Sequence, residues 1–264
     1  MTTSTLGIDL GGTKIAAGIV TFPGGEVRCR RLIPTASRRG GEAVLGDVLR
    51  LSEDLFAEAR SKNLHPEGIG IGVCELVDLS GNVVSDSSIG WKGMDVQERL
   101  SKLAPAVVEA DVRAAALAEA GFGAGRPFRI FLYVTVGTGI SSSLVLDGKP
   151  FTGARGLTGT MASSPLPRGD KLLDDKSFDR GPMPTLEEIA SGPALVARYG
   201  QRGKAALKSG EEVLAGAAAR DGAAVEVVES GGEALGAAVG WLVNVLDPEA
   251  VVVGGGLGLS GGLY

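Results

Sequence analysis

Aromatic residues make up only 5% of this 264-residue sequence, which also has a single histidine and two cysteines. Each scarcity removes a class of function. The lone His65 sits in the polar linker Asn63-Leu64-His65-Pro66, so it reads as a solvated side chain with no catalytic or metal role. Cys29 and Cys74 lie far apart without metal-type spacing, which fits a reduced, cytoplasmic setting and leaves no zinc site to expect. Basic residues are not in excess. Lys and Arg number 26 against 31 Asp and Glu, for a net charge of −5. That balance argues against nucleic acid or an anionic membrane surface as the main partner. No hydrophobic run is long enough to span a bilayer, since the stretch from Ala234 to Leu246 is too short and contains Asn244. The opening MTTST is short and polar, unlike a signal peptide, and leaves no room before Leu6 for a winged-helix module.

Glycine is what the chain has in quantity, 42 residues spread through periodic segments rather than in a low-complexity tract. With so few aromatics, this predicts close backbone packing and many tight turns. Residues 6–20, LGIDLGGTKIAAGIV, read as two strands joined at Gly11-Gly12-Thr13. Glycines allow backbone N–H groups to approach an anion, and Thr13 and Lys14 add a hydroxyl and a positive charge. Asp9, at the strand end, is placed to hold Mg²⁺ directly or through water. An ordinary hairpin with a Gly-Gly turn is the alternative. Two further glycine turns follow strands, at Gly137-Thr138-Gly139 and at Gly254-Gly255-Gly256. Between the first two lies Asp111, at a strand-to-helix junction. A helix N-terminus favours an ionised carboxylate, which suits a group accepting a proton from an attacking hydroxyl. The plain alternative is a helix N-cap. Phosphoryl transfer needs little more than cradled phosphates, a metal and such a carboxylate.

The length suits one large or two modest domains. After the opening hairpin, Glu26–Ile33 reads as a strand ending at Pro34, and residues 42–61 carry apolar residues at helical spacing. A glycine-alternating strand, Gly68–Val73, is followed at once by Glu75. Then come Asn82–Ser85, a loop with Trp91, a helix near Val96–Leu103, a short strand Ala106–Val108 and a helix from Asp111 to a glycine-rich end. The second half repeats this outline, with strands Arg129–Val136 and Ile140–Leu146 around a small-residue turn. Ser164–Pro184 lacks periodicity and predicts a mobile surface loop. Helices are expected at Thr185–Tyr199, Gly210–Arg220 and Ala223–Leu246, then a buried strand Ala250–Val253.

From residue 6 onward the chain resembles the ROK family of sugar kinases, in the actin/hexokinase-like superfamily. GIDLGGTKI resembles the family's first phosphate motif, and VTVGTGISSSLVLDGKPFTGARGLTG its second. EADVRAAALAEAGFGAG is similar to the helix that carries the catalytic base, with Asp111 on that position. LEEIASGPAL is similar to the stretch after the zinc cysteines, and LDPEAVVVGGGL to the adenosine-side strand and loop. The resemblance implies a two-lobed α/β protein of actin/hexokinase-like (ribonuclease H-like) fold, divided near residues 1–112 and 113–264, with ATP and Mg²⁺ in the interlobe cleft. In it Asp9, Gly11, Gly12, Thr13, Lys14, Gly137, Thr138, Gly139, Gly254, Gly255 and Gly256 would hold the nucleotide, Lys14 only flanking the phosphate.

The departures from the family pattern cluster on the acceptor side. Ala110 and Arg113 replace the two asparagines flanking the base motif, and Thr160 and Ser163 replace the Glu and His of the sugar-binding run Gly159–Ser163. The Asn that usually precedes Gly90-Trp91 is replaced around Ser87 and Ser88, Cys74-Glu75 replaces a Pro-Gly turn, and the zinc-binding cysteine run is missing. Glu187 alone survives of the usual hexose contacts. Buried polar groups discriminate strongly between substrates, so these changes predict an altered acceptor. Candidate acceptor contacts are Glu75, Ser87, Ser88, Trp91, Arg113, Thr160, Ser163 and Glu187. Each has a structural alternative: Trp91 as a half-buried loop aromatic, Glu75 and Arg113 as solvated or mutually paired, Glu187 as a complement to a helix dipole.

The expected activity is ATP-dependent phosphorylation of a hydroxyl on a sugar or a sugar-like polyol such as a C7-cyclitol. A catalytically weak sensor or scaffold and a glucokinase-type hexose kinase are the alternatives, and the family's repressors are disfavoured by the acidic charge and the absent DNA-binding segment. A homodimer is allowed, although no residue fixes the oligomeric state. The chain stops at Tyr264, where related kinases continue with a further helical segment; either it is truncated or it closes the nucleotide site differently.

Overall fold

Period-two alternation of large apolar residues builds the first sheet. In β1 (Thr3–Leu10), Leu6, Ile8 and Leu10 point into the core, and Ile15, Ala17 and Ile19 do so in β2 (Lys14–Phe22). The computed structural model describes residues 3–165, 183–203 and 207–264. Most of the segment expected to be a surface loop, residues 166–182, lies outside the described residues. The chain divides into two compact units, Met1–Gly123 with Pro150–Thr158, and Ala124–Lys149 with Gly159–Tyr264. The first therefore keeps the whole helix that begins at Asp111, and the division falls after Gly123 rather than after Val112.

In the first unit, β3 (Glu26–Pro34), β4 (Pro66–Val73) and β5 (Ala106–Ala110) complete a five-stranded sheet ordered β3-β2-β1-β4-β5. The β1–β2–β3 part is antiparallel, as tight turns allow, and β1, β4 and β5 run parallel. Helix α1 (Gly41–Ser61) lays Val44, Leu45, Val48, Leu51, Leu55, Phe56 and Ala59 against the sheet. The loop after β4 runs to α2 (Val96–Ser101) and holds Asn82–Ser85, where pairing is limited to an isolated Val77–Val83 bridge. Trp91 in this loop is wholly buried, and its indole N–H donates to the Gly41 carbonyl at 2.9 Å, pinning the start of α1. Helix α3 (Asp111–Phe122) follows β5 directly and ends at Gly123.

In the second unit, β6 (Ile130–Val136) is central, antiparallel to β7 (Ile140–Leu146) and parallel to β9 (Ala250–Gly254), in the order β8-β7-β6-β9 with β8 at Lys149–Pro150. Helices α4 (Leu186–Ala190), α5 (Gly192–Gly200), α6 (Gly210–Ala218) and α7 (Gly222–Leu246) close the core over Leu132, Val134, Val136 and Ile140. The single helix expected over Thr185–Tyr199 is two. Ser191 is extended and its hydroxyl accepts from the Ala194 N–H at 3.3 Å, so it caps a new helix, and Pro193 sits in the first turn, where its missing N–H costs nothing. Among the described residues no helix is long and apolar enough to cross a membrane.

Truncating the pinned indole tests the core of the first unit. Trp91→Ala removes a fully buried side chain and should cost about 3–5 kcal/mol, seen as a fall of roughly 10 °C in the thermal unfolding midpoint. An unchanged midpoint would mean that Trp91 is not packed as described.

Candidate active site

Parallel pairing brings the carboxyl ends of β1, β4 and β5 to one edge of the first sheet, the place where open α/β sheets carry their sites. The register sets Asp9 beside Gly72 and Val73 beside Ala110, so Asp9, the Cys74-Glu75 pair and Asp111 emerge side by side. A Cβ placed on Gly72 would lie 3.4 Å from the Asp111 Cα, which measures how closely the start of α3 approaches β4. The Asp111 carboxylate accepts from the Val112 N–H at 2.6 Å. Burial pushes its pKa up to about 6, the Val112 N–H opposes this, and the charges of Asp9 and Glu75 add to it. Asp9 is likewise raised by the protein packed around it, with Lys14 pulling the other way. The Cys74 thiol is pushed up to about 12 by burial and by the charges of Asp111 and Glu75, so it stays protonated.

The first glycine turn is held rigid. The Gly11 N–H donates to the Lys14 carbonyl at 3.0 Å, while the buried Thr35 donates its hydroxyl to the Gly11 carbonyl at 2.6 Å and its N–H to the Thr13 carbonyl at 3.0 Å. Gly12, Thr13 and Lys14 are left exposed at the tip. A Cβ on Gly12 would touch Ser88 at 3.6 Å, so the turn and the Ser87–Ser88 loop are neighbours. The side chains of Ser87 and Ser88 are exposed.

Glu75 and Arg113 are neither solvated nor paired with each other. Glu75 is 6% exposed and accepts four hydrogen bonds: from the Ser85 hydroxyl, from the Ser87 N–H at 2.9 Å, from the Ser88 N–H at 2.6 Å and from the Ile89 N–H at 3.1 Å. Burial works to raise this carboxyl, but the hydrogen bonds together outweigh it and hold it below its ordinary value. Arg113 is 2% exposed. Its guanidinium donates to Glu109 at 2.7 Å, to the Val77 carbonyl at 2.7 Å and to the Gly156 carbonyl, clipping residues 150–158 to the first unit. Trp91 has no exposed face at all.

In the second unit the Gly137–Gly139 turn, the Gly254–Gly256 loop and two helix N-termini meet. The Gly192 N–H donates to the Gly137 carbonyl at 2.9 Å, the Gly137 N–H donates to the Gly139 carbonyl at 2.9 Å, and the N–H groups of Leu257 and Gly258 both reach the Val136 carbonyl. A Cβ on Gly210 would stand 2.8 Å from the Gly192 Cα, so the starts of α5 and α6 abut through backbone alone. Helix N-termini and glycine turns present unpaired N–H groups and positive dipole ends, which suits an anion. Gly255 has φ +84°, and a Cβ there would come within 2.3 Å of the Val136 carbonyl oxygen, so only glycine fits. Beside this loop, Glu211, Leu214, Arg220, Val228, Ser260 and Leu263 line a cavity of about 540 Å³, within the range of small-ligand sites. Glu187 is exposed, and its carboxylate accepts from the Ile140 N–H at 2.9 Å beside Gly139. Thr160 and Ser163 are exposed at the two ends of a short 3₁₀ turn.

The ROK family model matches residues 5–264 of the sequence. The chain belongs to the ROK family. It is 29% identical to a glucokinase of Halalkalibacterium halodurans, over 97% of this chain and 81% of that one. Its fold matches a crystal structure of a ROK family glucokinase from Streptomyces griseus in complex with glucose and AMPPNP, with TM-score 0.80, 27% identity and coverage of 98% and 85%. A ROK family transcriptional regulator, a homologue of the E. coli MLC protein, matches with TM-score 0.81 and 26% identity, over 96% of this chain and 65% of that one. The architecture is thus the two-lobed actin/hexokinase-like α/β fold expected from the motifs.

Among the described residues of this ROK protein, no cluster of three or more His, Cys, Asp or Glu side chains could hold a metal ion. Sequence reading overlooked Thr35 and the paired helix starts Ser191-Gly192 and Ser209-Gly210. The signal was there: both are a Ser N-cap followed by Gly, the combination that opens a helix while letting backbones approach. The tight Gly255 site gives a test. Gly255→Ala should lower the unfolding midpoint, by at least ~1 kcal/mol equivalent. Gly236→Ala, in exposed helix with nothing near its added Cβ, should hold or raise the midpoint by ~0.5–1 kcal/mol equivalent. Equal effects would contradict the geometry at Gly255.

Proposed function

We propose that this ROK protein is an ATP-dependent kinase that phosphorylates a hydroxyl of a sugar or sugar-like polyol, with Asp111 as the general base. The observation that carries the reading is the Asp111 carboxylate, shielded enough to be an effective proton acceptor and set at the carboxyl edge of three parallel strands beside Asp9. The named activities of the glucokinase relatives support it. The backbone cradle of Gly137, Gly192, Gly210 and Gly256 suits a polyphosphate, because side chains would fill it, and the adjoining cavity suits a nucleoside. Asp9 is the residue that would hold Mg²⁺, directly or through water. Bound ATP and Mg²⁺ would supply the transferable phosphoryl group and the cation that balances its charge.

The work of the protein side chains is then a proton transfer in a prepared setting. Asp111 takes the proton of the acceptor hydroxyl, which becomes a better nucleophile as the proton leaves. The charges of Asp9 and Glu75 raise the basicity of Asp111, and the exposed Lys14 with the Gly12 and Thr13 amides would meet the anionic groups. Ser87 and Ser88, exposed at the loop tip, would read the acceptor, the Ser88 hydroxyl while bonded to the Cys74 thiol. Thr160 and Ser163 in place of Glu and His leave a pocket with fewer charged hydroxyl readers, which favours a polyol other than a standard hexose, a cyclitol among them. A sensor without turnover is the second reading, favoured by the regulator among the structural neighbours.

An ATP-consumption screen over hexoses, N-acyl amino sugars and cyclitols separates these readings, with Asp111→Asn as control. Turnover should appear with one acceptor class, and Asp111→Asn should lower kcat by roughly 10²–10⁴-fold. Because Asp111 must be ionised, kcat/KM should fall as pH drops through about 6. Its folded value lies above the ordinary 3.8, so ionised Asp111 opposes folding above that pH. Asp111→Asn should therefore melt no lower than wild type at neutral pH. No turnover with any acceptor, or full activity in Asp111→Asn, would sink the kinase reading.

A further inference from the structure

Glu75 is a buried carboxylate just beyond the end of β4. Its carboxylate is almost fully buried, and all four of its bonds go to a single loop, Ser85 and Ser87–Ile89. Three of the donors are consecutive backbone N–H groups, whose directions are fixed once one acceptor holds them. The Ser85 hydroxyl that donates to Glu75 also accepts the Leu76 N–H at 2.8 Å, and the Val84 N–H reaches the Leu76 carbonyl at 2.9 Å, so the neck of the loop is closed. The loop tip is a different matter: the Ser87 and Ser88 side chains stay exposed, and Ser88 lies against Gly12 of the first glycine turn. Arg113 holds the neighbouring arm through the Val77 carbonyl.

We infer that Glu75 is a positioning residue for the acceptor: it fixes the backbone of Ser87–Ile89 so that the serine side chains at the loop tip stand pre-formed, Ser88 against Gly12 of the first glycine turn and the Cys74 thiol. This rests on the kinase reading for its purpose, but not for its geometry. A carboxylate is the only ordinary side chain that can accept from four donors at this site, because its two oxygens carry about four lone-pair positions. Glutamine in its place turns one oxygen into an N–H₂ donor facing two other donors, so half the loop loses its anchor. The same substitution removes a negative charge that faces Asp111.

The test compares wild type with Glu75→Gln, and with Ser85→Ala as a milder variant that removes one donor and leaves the carboxylate. Amide hydrogen exchange is measured on the apo protein, NMR of carboxyl-labelled Asp follows the Asp111 titration, and KM is measured for ATP and for the hexose, N-acyl amino sugar or cyclitol that wild type turns over in the screen. In Glu75→Gln the amides of Ser87–Ile89 should exchange at least roughly tenfold faster while those of β1 and β4 stay protected. Asp111 should titrate at lower pH, and KM for that acceptor should rise roughly tenfold with KM for ATP unchanged. Ser85→Ala should accelerate the same amides less and leave the Asp111 titration in place. Unchanged exchange at Ser87–Ile89, or acceleration spread evenly over the first unit, would overturn the assignment, as would equal rises in both KM values. A wild-type protein that turns over neither glucose nor any other acceptor would overturn the kinase reading alone, because exchange and titration still decide what Glu75 holds.

Discussion

Parallel pairing of β1, β4 and β5 is the constraint on which the first unit depends. Once Asp9 is opposite Gly72 and Val73 opposite Ala110, the three strand ends must release their next residues at one edge. A one-residue slip would turn Leu6, Ile8, Ile69 and Ile71 out of the core, so burial of these side chains enforces the register. The chemistry follows from packing. Carboxylates brought together by strand register and partly stripped of water repel one another, and Asp111, opposed only by the Val112 N–H, is pushed up to about 6. Glu75, only one residue beyond β4, is pushed the opposite way because four donors surround it.

The second unit solves its problem with backbone instead of charge. Two serine-capped helices start against each other through Gly192 and Gly210, and two glycine turns run beside them. Backbone makes the contact between the helix starts, and the carboxylates of Glu187 and Glu211 border the turns, the first beside Gly139 and the second beside Gly256.

Much of this was legible in the residues. The strands and most helices followed from periodicity, and the glycine turns from their position after apolar runs. The family resemblance was carried by motifs such as GIDLGGTKI and LDPEAVVVGGGL, whose order along the chain matches the family. The errors were local. A helix drawn through Ser191 missed the cap because the apolar pattern continues across it, and periodicity does not register a hydroxyl that replaces one backbone acceptor. Trp91, a half-buried loop aromatic or cleft wall on sequence, is fully buried because the start of α1 comes back over it.

The sequence by itself determined the fold class, the three glycine turns and the position of the candidate base, since these rest on spacing and on local backbone preference. Only the tertiary structure decided what Glu75 and Arg113 do. Both are charged residues at altered positions, and nothing local says whether such a group faces water, ligand or protein. The answer lies in partners 10 to 43 residues away: Ser85 to Ile89 for Glu75, Val77 and Gly156 for Arg113. A buried charge must find its donors or acceptors somewhere, and folding chooses where.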